Sequence, residues 1–353
     1  MVPEPVVTDA AVAVSVVIPT RNRAHLLASC LETLTVQTCD SAFEIVVVDN
    51  ASSDRTAEIA AEAARRDTRV RIVREASLGR APALNAGVAA ARGPLLVFTD
   101  DDMLVQPGFV QGYLEFFASR GQDDLIVAGG VIHPVPHDRA WPTWFAERAA
   151  RSLVFVDWGG GRALAPTESV WGGNTAVPRR VFERLGMWDV GLGVRDGTRP
   201  APGRPELNED IEFQSRVRAA GGEVWFVPGA VVHHRTPVPS PRVCLEKGFA
   251  SGRNDYRRAP RPGLPSDRRR GARSARSWPA WASATIRWLC WSATLRVART
   301  RGAFGRAWDA AWATGWRMED LLSDDVRDGV DRRVRSATRR ITRLATRLAP
   351  DAP

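Results

Sequence analysis

Four short, largely apolar runs, each but the last followed by a segment with helical spacing, constrain the fold of this chain more than any other feature. They are Val12 to Ile18, Glu44 to Val48, Val70 to Val73 and Leu95 to Phe98. Runs of this length, with little polar alternation, describe strands buried on both faces, as in parallel sheets. Pro19 stops the first run, and the Gly93-Pro94 turn introduces the fourth. After the first run, Leu26, Leu27, Cys30, Leu31 and Leu34 fall on one helical face. A second helix is expected from Thr56 to Arg66, with Ser53 or Asp54 as its cap. A third follows the Gly79 turn, from Leu84 to Ala91. Strand and helix in this rhythm mean βαβ units, and so an α/β chain with a Rossmann-like, mostly parallel sheet flanked by helices. The chain has no Gly-x-Gly-x-x-Gly loop, Walker A loop, zincin motif or nucleophile-elbow serine.

The fourth run ends abruptly in Asp100-Asp101-Asp102. In open α/β sheets, ligands collect at the carboxyl ends of the strands. Three adjacent carboxylates repel one another, and a bound cation relieves that repulsion. On an extended backbone Asp100 and Asp102 point one way and Asp101 the other. Two carboxylates on one side suit Mg²⁺ or Mn²⁺, which take oxygen ligands and share them with phosphates. A solvated acidic turn is the competing reading.

Beyond Pro107 the rhythm changes. A helix from Phe109 to Phe117 precedes a strand from Leu125 to Val131. A Pro- and Trp-rich stretch, Pro134 to Phe145, and the Gly-rich Asp157 to Gly161 follow. Trp141, Trp144 and Trp158 suit either the C–H faces of sugar rings or ordinary packing. Trp171 to Pro178 reads as a short strand entering a helix, Arg179 to Leu185. Gly172-Gly173 there serves either close approach to a ligand or a tight turn. Another helix opens at Asn208, an N-cap, with Glu209, Asp210 and Glu212 in its first turn. Its expected buried face is Phe213, Val217 and Ala220, and Gly221-Gly222 ends it. Val224 to Val227 and Ala230 to Val232 read as two strands, the second delivering His233-His234.

At 353 residues the chain has room for two domains. Its net charge of +9 is unevenly placed. From Val238 onward 25 Lys or Arg stand against 11 Asp or Glu, which leaves 24 basic and 29 acidic residues before that point. The expected division is a catalytic domain over 1–237 and a basic, helical, Trp-rich region over 238–353. Trp281, Trp288, Trp291 and Leu295 share helical spacing, as do Trp308, Trp312 and Trp316. Arg287 and Arg296 argue against a membrane-spanning helix. Basic, Trp-bearing helices suit an anionic membrane surface; packing on the core or on a second copy of the chain is the equal alternative. The mild acidity of the first part argues against nucleic acid as its partner. Four cysteines without CxxC spacing, and an acidic, Pro-containing start that is no signal peptide, point to a cytoplasmic protein, peripheral on the membrane if the tail binds there.

Taken in register, these pieces resemble the inverting nucleotide-sugar glycosyltransferases of family 2, which have the GT-A fold. The likeness runs from Val12 to Thr236, about two-thirds of the chain. It implies a nucleoside diphosphate sugar donor held by Pro19, Thr20, Arg21, Asp49, Asn50, Asp100 and Asp101. Asp100-Asp101-Asp102 matches the family's DxD motif, so Asp100 and Asp102 are implied metal ligands for Mn²⁺ or Mg²⁺. His233 sits where many members have a third ligand, with His234 as the alternative. Gly173 and Asn174 match the acceptor-side segment; Glu209-Asp210 matches the ED motif, whose Asp is the base for a hydroxyl acceptor. Where the family often has Ala-Arg-Asn, this chain reads Ala83-Leu84-Asn85, and Arg80 is the candidate substitute. No QxxRW sequence appears, so transfer of a single sugar is expected rather than processive synthesis. A sugar nucleotidyltransferase, or a non-catalytic protein binding membrane or nucleic acid through its basic tail, are the rival readings. The first would need a Gly-rich, basic loop that Thr20-Arg21-Asn22-Arg23 does not provide.

Overall fold

A computed structural model of the chain describes residues 11–121, 124–137, 140–141, 155–166, 168–192 and 209–236. Its elements are β1 (Val14–Thr20), α1 (Ala24–Thr35), β2 (Phe43–Asp49), α2 (Thr56–Arg66), β3 (Val70–Arg74), α3 (Arg80–Ala90), β4 (Leu95–Thr99) and β5 (Met103–Val105). They continue with α4 (Phe109–Ala118), β6 (Ile126–Pro136), β7 (Arg162–Ala163), β8 (Asn174–Pro178), α5 (Arg179–Leu185), α6 (Glu209–Ala219) and β9 (Glu223–Thr236). Described residues up to His133, from Val156 onward and through Arg235 form one compact unit. Asn208, Trp144 and the basic region 238–353 lie outside the described residues.

The sheet among the described residues is mixed, in the order β3-β2-β1-β4-β8-β6-β9-β5, with β7 pairing β9. β3, β2, β1 and β4 are parallel, as the βαβ rhythm requires. At β8 the direction reverses. β2 and β4 are buried at every position, and β1 at all but one. Strands covered on both faces by helices need no polar alternation, which is why the runs are legible as strands. Helix α1 buries Leu26, Leu27, Cys30, Leu31 and Leu34, the five positions its spacing picks out. The residue at the N-cap of α2 is Arg55, with no side-chain capping bond, rather than Ser53 or Asp54; the Asp54 carboxylate accepts instead from the Thr56 amide at 2.9 Å, just ahead of the first turn.

Glu44, a charged residue within a buried strand, is satisfied at the sheet end away from the Asp triplet. Its carboxylate accepts from Ser15 Oγ at 2.7 Å, the Arg92 amide at 2.6 Å and Arg71 Nη1 at 2.8 Å. Burying a carboxylate is tolerable when its oxygens are fully engaged.

Register brings one end of the sheet to a common level. Thr20 stands beside Asp49 across β1–β2, and Thr99 beside Asn174 across β4–β8. The loops after β1, β2 and β4 therefore meet the loop before β8.

Several details depart from the sequence reading. The C-terminal strands are one element, β9, which runs through the exposed Pro228-Gly229. Proline is tolerated in a strand where its missing N–H faces no partner. There Gly112 of α4 approaches closely: a Cβ on it would lie 3.0 Å from the Gly229 carbonyl carbon. α3 starts a turn earlier than expected, at Arg80, and Ala220 is exposed beyond the end of α6. β5 is too short for its periodicity to show, and its antiparallel pairing with β9 creates it. No helix among the described residues is long and apolar enough to cross a membrane.

Candidate active site

The Asp triplet is a turn rather than an extended segment. The Met103 amide donates to the Asp100 carbonyl at 3.2 Å, closing a tight reversal between β4 and β5. The alternation expected of a strand is lost, and the three carboxylates divide differently. Asp101 accepts from Thr20 Oγ1 at 2.7 Å and faces Arg23 Nε at 3.2 Å. Asp102 pairs with Arg23 Nη2 at 2.7 Å and lies 3.4 Å from His234 Nε2. Asp100 turns the other way and pairs with Arg80 Nη2 at 2.8 Å.

These surroundings separate the charges of the triplet. Burial pushes the Asp101 carboxyl up to about 7, with the neighbouring Asp102 charge adding to burial and Arg23 opposing it. Burial acts the same way on Asp102, but hydrogen bonding and charge from His234, together with Arg23, outweigh it and hold Asp102 at about 2. Asp102 is thus ionised, and its Oδ1 is buried without a hydrogen-bond partner.

Arg80, in the first turn of α3, spans the site. One arm of its guanidinium holds Asp100; the other donates to Glu209 Oε1 at the start of α6. Burial disfavours its charge, yet Asp100 and Glu209 more than offset this and raise its pKa. Gly172 leaves room for this crossing, since a Cβ there would lie 3.0 and 3.1 Å from the Arg80 terminal nitrogens. Gly173 abuts the other side: a Cβ on it would lie 2.7 Å from Asp100 Oδ2. The double glycine forms the tight turn closed by the Asn174 amide on the Trp171 carbonyl at 2.9 Å, and it also lets Arg80 and Asp100 approach the backbone closely.

Asp210 lies beyond Glu209. Its carboxylate accepts from the Gly172 amide at 2.9 Å and the Ile211 amide at 2.8 Å. Burial, reinforced by the charge of Glu209, raises its pKa above the ordinary carboxylate value, against the pull of Arg80 and the two amides. The arrangement is a line of groups, Asp102, Arg23, Asp101, then Asp100, Arg80, Glu209 and Asp210. It joins a cation-attracting end to a carboxylate able to take a proton.

The family model for glycosyl transferase family 2 matches residues 15–186, the span that contains β1 to β8 and the Asp triplet. The chain carries a family 2 glycosyl transferase domain. The chain is 30% identical over 229 residues to a validoxylamine A glucosyltransferase of Streptomyces hygroscopicus, covering 59% of this chain and 51% of that protein. It is 35% identical over 116 residues to the uncharacterized glycosyltransferase EpsJ of Bacillus subtilis, 33% of each chain. The chain thus spans a third to a half of the length of these relatives. In fold it is similar to the mannosyltransferase PcManGT of Pyrobaculum calidifontis, solved with GDP-Man and Mn²⁺. That likeness has a TM-score of 0.52 and 18% identity, covering 88% of this chain and 89% of that one.

Thr20, Asp49, Asp100, Asp101, Asp102 and Gly173 of the matched span gather at the sheet end described above together with Glu209 and Asp210, which follow that span, with Pro19 in β1 and Arg21 in the loop after it. Three expected residues do not act as expected. Asn50 donates to the Glu75 and Ser77 carbonyls at 3.0 and 2.8 Å and accepts from the Gly79 amide at 2.8 Å. Its amide ties β2 to the turn before α3. Asn174 is fully buried, accepts from Tyr113 Oη at 2.6 Å and donates to the Val131 and Ala230 carbonyls at 2.9 and 3.0 Å. Those contacts use both amide hydrogens, so it is a core clamp rather than an acceptor contact. His233 lies one residue out of register: its Nε2 is 2.9 Å from Gln106 Nε2 and its ring 6.0 Å from that of His133, while His234 faces Asp102. Arg23 is the residue the sequence reading overlooked. Its separation from Asp102 by 79 positions leaves no local signal.

Among the described residues, no three His, Cys, Asp or Glu side chains form a ready-made metal cage. A cation that shares its shell with a diphosphate needs only one or two protein carboxylates. The unpartnered Asp102 Oδ1 and the Asp100 carboxylate kept open beside Gly173 fit that requirement.

Proposed function

We propose that the protein is a metal-dependent, inverting glycosyltransferase that moves one sugar from a nucleoside diphosphate donor to an acceptor hydroxyl. The observation that carries this reading is the Arg80 bridge between Asp100 of the carboxylate turn and Glu209, the neighbour of the candidate base Asp210. The Mn²⁺ and GDP-Man in the structurally similar mannosyltransferase, and the transferase relatives, support it.

In this reading Asp49, together with Pro19 and Thr20 at the end of β1 and Arg21 just after it, holds the nucleoside. Asp100 and Asp102 hold the metal, with His234 rather than His233 nearest to them. When bound, the metal supplies positive charge that stabilises the departing diphosphate. Asp101 orients the site through Thr20 and Arg23. Arg80 and Arg23 present guanidinium forks, which match diphosphate oxygens. Asp210 accepts the proton of the acceptor hydroxyl as that oxygen attacks the anomeric carbon on the face opposite the leaving group. Its raised pKa keeps it basic enough for that task. Residues 1–237 form the catalytic part, and 238–353 a separate basic region that holds the enzyme against an anionic leaflet near a lipid-linked or other hydrophobic acceptor.

Thermal melting tests the reading. A ligand that binds only the folded state raises the melting temperature by mass action. UDP, GDP or dTDP should stabilise the protein more with Mn²⁺ or Mg²⁺ than with EDTA, and Asp102→Ala should remove the difference, its ligand-free melt serving as the baseline because the substitution also breaks the pair with Arg23. Absence of metal-dependent stabilisation by any of the three rejects the reading.

A further inference from the structure

We infer that Arg23 and Arg80 are resident counter-cations of the Asp triplet, so that a divalent metal enters only together with a nucleoside diphosphate that takes over the two arginines. The inference rests on the function proposed above and adds to it an obligatory coupling between two ligands.

Every carboxylate of the triplet already has a guanidinium partner. Arg80 holds Asp100 at 2.8 Å, and Arg23 holds Asp101 at 3.2 Å and Asp102 at 2.7 Å. The two arginines arrive from separate elements, Arg23 just before α1 and Arg80 at the start of α3. Their side chains are 41% and 24% exposed, against 4% and 10% for Asp101 and Asp102. Asp101 and Asp102 thus lie in the floor of the site beneath the more open Arg23, whereas Asp100, at 30%, is slightly more exposed than Arg80.

A metal ion arriving alone would either share Asp100 and Asp102 with the guanidiniums already paired to them, against the repulsion of those charges, or displace a guanidinium from its carboxylate. That exchange of one cation for another gains little. A metal carried by a diphosphate changes the balance, because the diphosphate oxygens accept the displaced N–H groups bidentately. Arg80 would not drift away on release from Asp100, since its other arm stays on Glu209. Gly172 leaves room for the guanidinium beside the backbone, where a Cβ would lie 3.0 Å from it. Coupling of this kind is reciprocal: diphosphate strengthens metal binding by the factor by which metal strengthens diphosphate binding.

Titration of full-length protein with Mn²⁺, followed by calorimetry and by the electron paramagnetic resonance of free Mn²⁺, tests this without any turnover. Wild type should bind Mn²⁺ alone weakly and at least about tenfold more tightly with UDP or GDP present. Arg80→Gln, which removes the competing cation, should bind Mn²⁺ alone about five- to tenfold more tightly and lose most of the nucleotide coupling. Arg80→Lys should fall between the two. Arg23→Gln, at the more exposed arginine, is measured in the same way, so that a failure of one variant to fold leaves the other decisive; melts in EDTA establish folding. If both folded variants bind Mn²⁺ alone no more tightly than wild type, the counter-cation inference is overturned while the metal-dependent transferase stands. If wild type shows no nucleotide-dependent Mn²⁺ binding, both fall together.

Discussion

Replacing Asn174 by Leu separates a clamp in the core from a contact with the acceptor. Asn174 joins four elements: it lies in β8, accepts from Tyr113 in α4 and donates to main-chain carbonyls in β6 and β9. Leucine keeps the branching at Cγ, though it is larger, and leaves the buried Tyr113 hydroxyl without its acceptor and two carbonyls without these donors. A buried polar group deprived of its partner costs about 1–3 kcal/mol. Because the carbonyls have second lone pairs, the sum comes to roughly 3–5 kcal/mol rather than the full three-fold total. In a domain of this size that lowers the melting temperature by about 10 °C. Asn174→Asp should do similar damage, since it sets a carboxylate against the same two carbonyls. Urea denaturation in EDTA, without nucleotide, measures the loss. A change below about 1 kcal/mol together with loss of transfer would refute the clamp and restore Asn174 to the acceptor site.

Gly173→Ala should fold normally but push Asp100 aside, because the new Cβ would lie 2.7 Å from its Oδ2; metal-dependent nucleotide binding should weaken about tenfold by calorimetry. Glu44 is buried, which raises its pKa, but bonds from Arg71, Ser15 and Arg92 prevail and hold it below the ordinary value. Its stabilising effect is therefore complete above the unfolded carboxylate's pKa and fades as pH falls through the lower folded one. Denaturation across the acid range should show a loss below about pH 4 that Glu44→Gln no longer has. Full-length protein should float with anionic liposomes more than with neutral ones, in proportion to the surplus of basic residues after Val238. Equal flotation, or flotation undiminished by deletion of 238–353, would leave only packing for the tail.

The parallel half of the sheet was legible because burial on both faces leaves a continuous apolar run, and α1 because its five buried positions repeat at helical spacing. The sheet end carrying the site followed from strand polarity alone. Contacts between distant segments were not legible. Arg80 and Glu209 are 129 positions apart, and nothing near either residue announces the other. The choice between His233 and His234 was not legible, because a one-residue shift on a strand moves a side chain to the opposite face, and the short β5 fixes that register. The partners of Asn50 and Asn174 were not legible for another reason: an Asn beside a loop motif looks the same whether its amide meets a ligand or the main chain.

The central claim is that Asp210 takes the acceptor's proton while a separate group of residues holds the donor. Asp210→Asn keeps the shape and removes the basic oxygen, so it is assayed for both functions at once, with the anomeric configuration of the wild-type product read by NMR. The account predicts metal-dependent nucleotide binding within about threefold of wild type, with transfer reduced by about 10²–10⁴-fold. Wild-type transfer should fall with acid at a pH above that of an ordinary carboxylate near 4, because burial and Glu209 raise Asp210, and the product should have the anomeric configuration opposite to the donor's. Near-wild-type transfer by Asp210→Asn, or a product that keeps the donor's configuration, would contradict it.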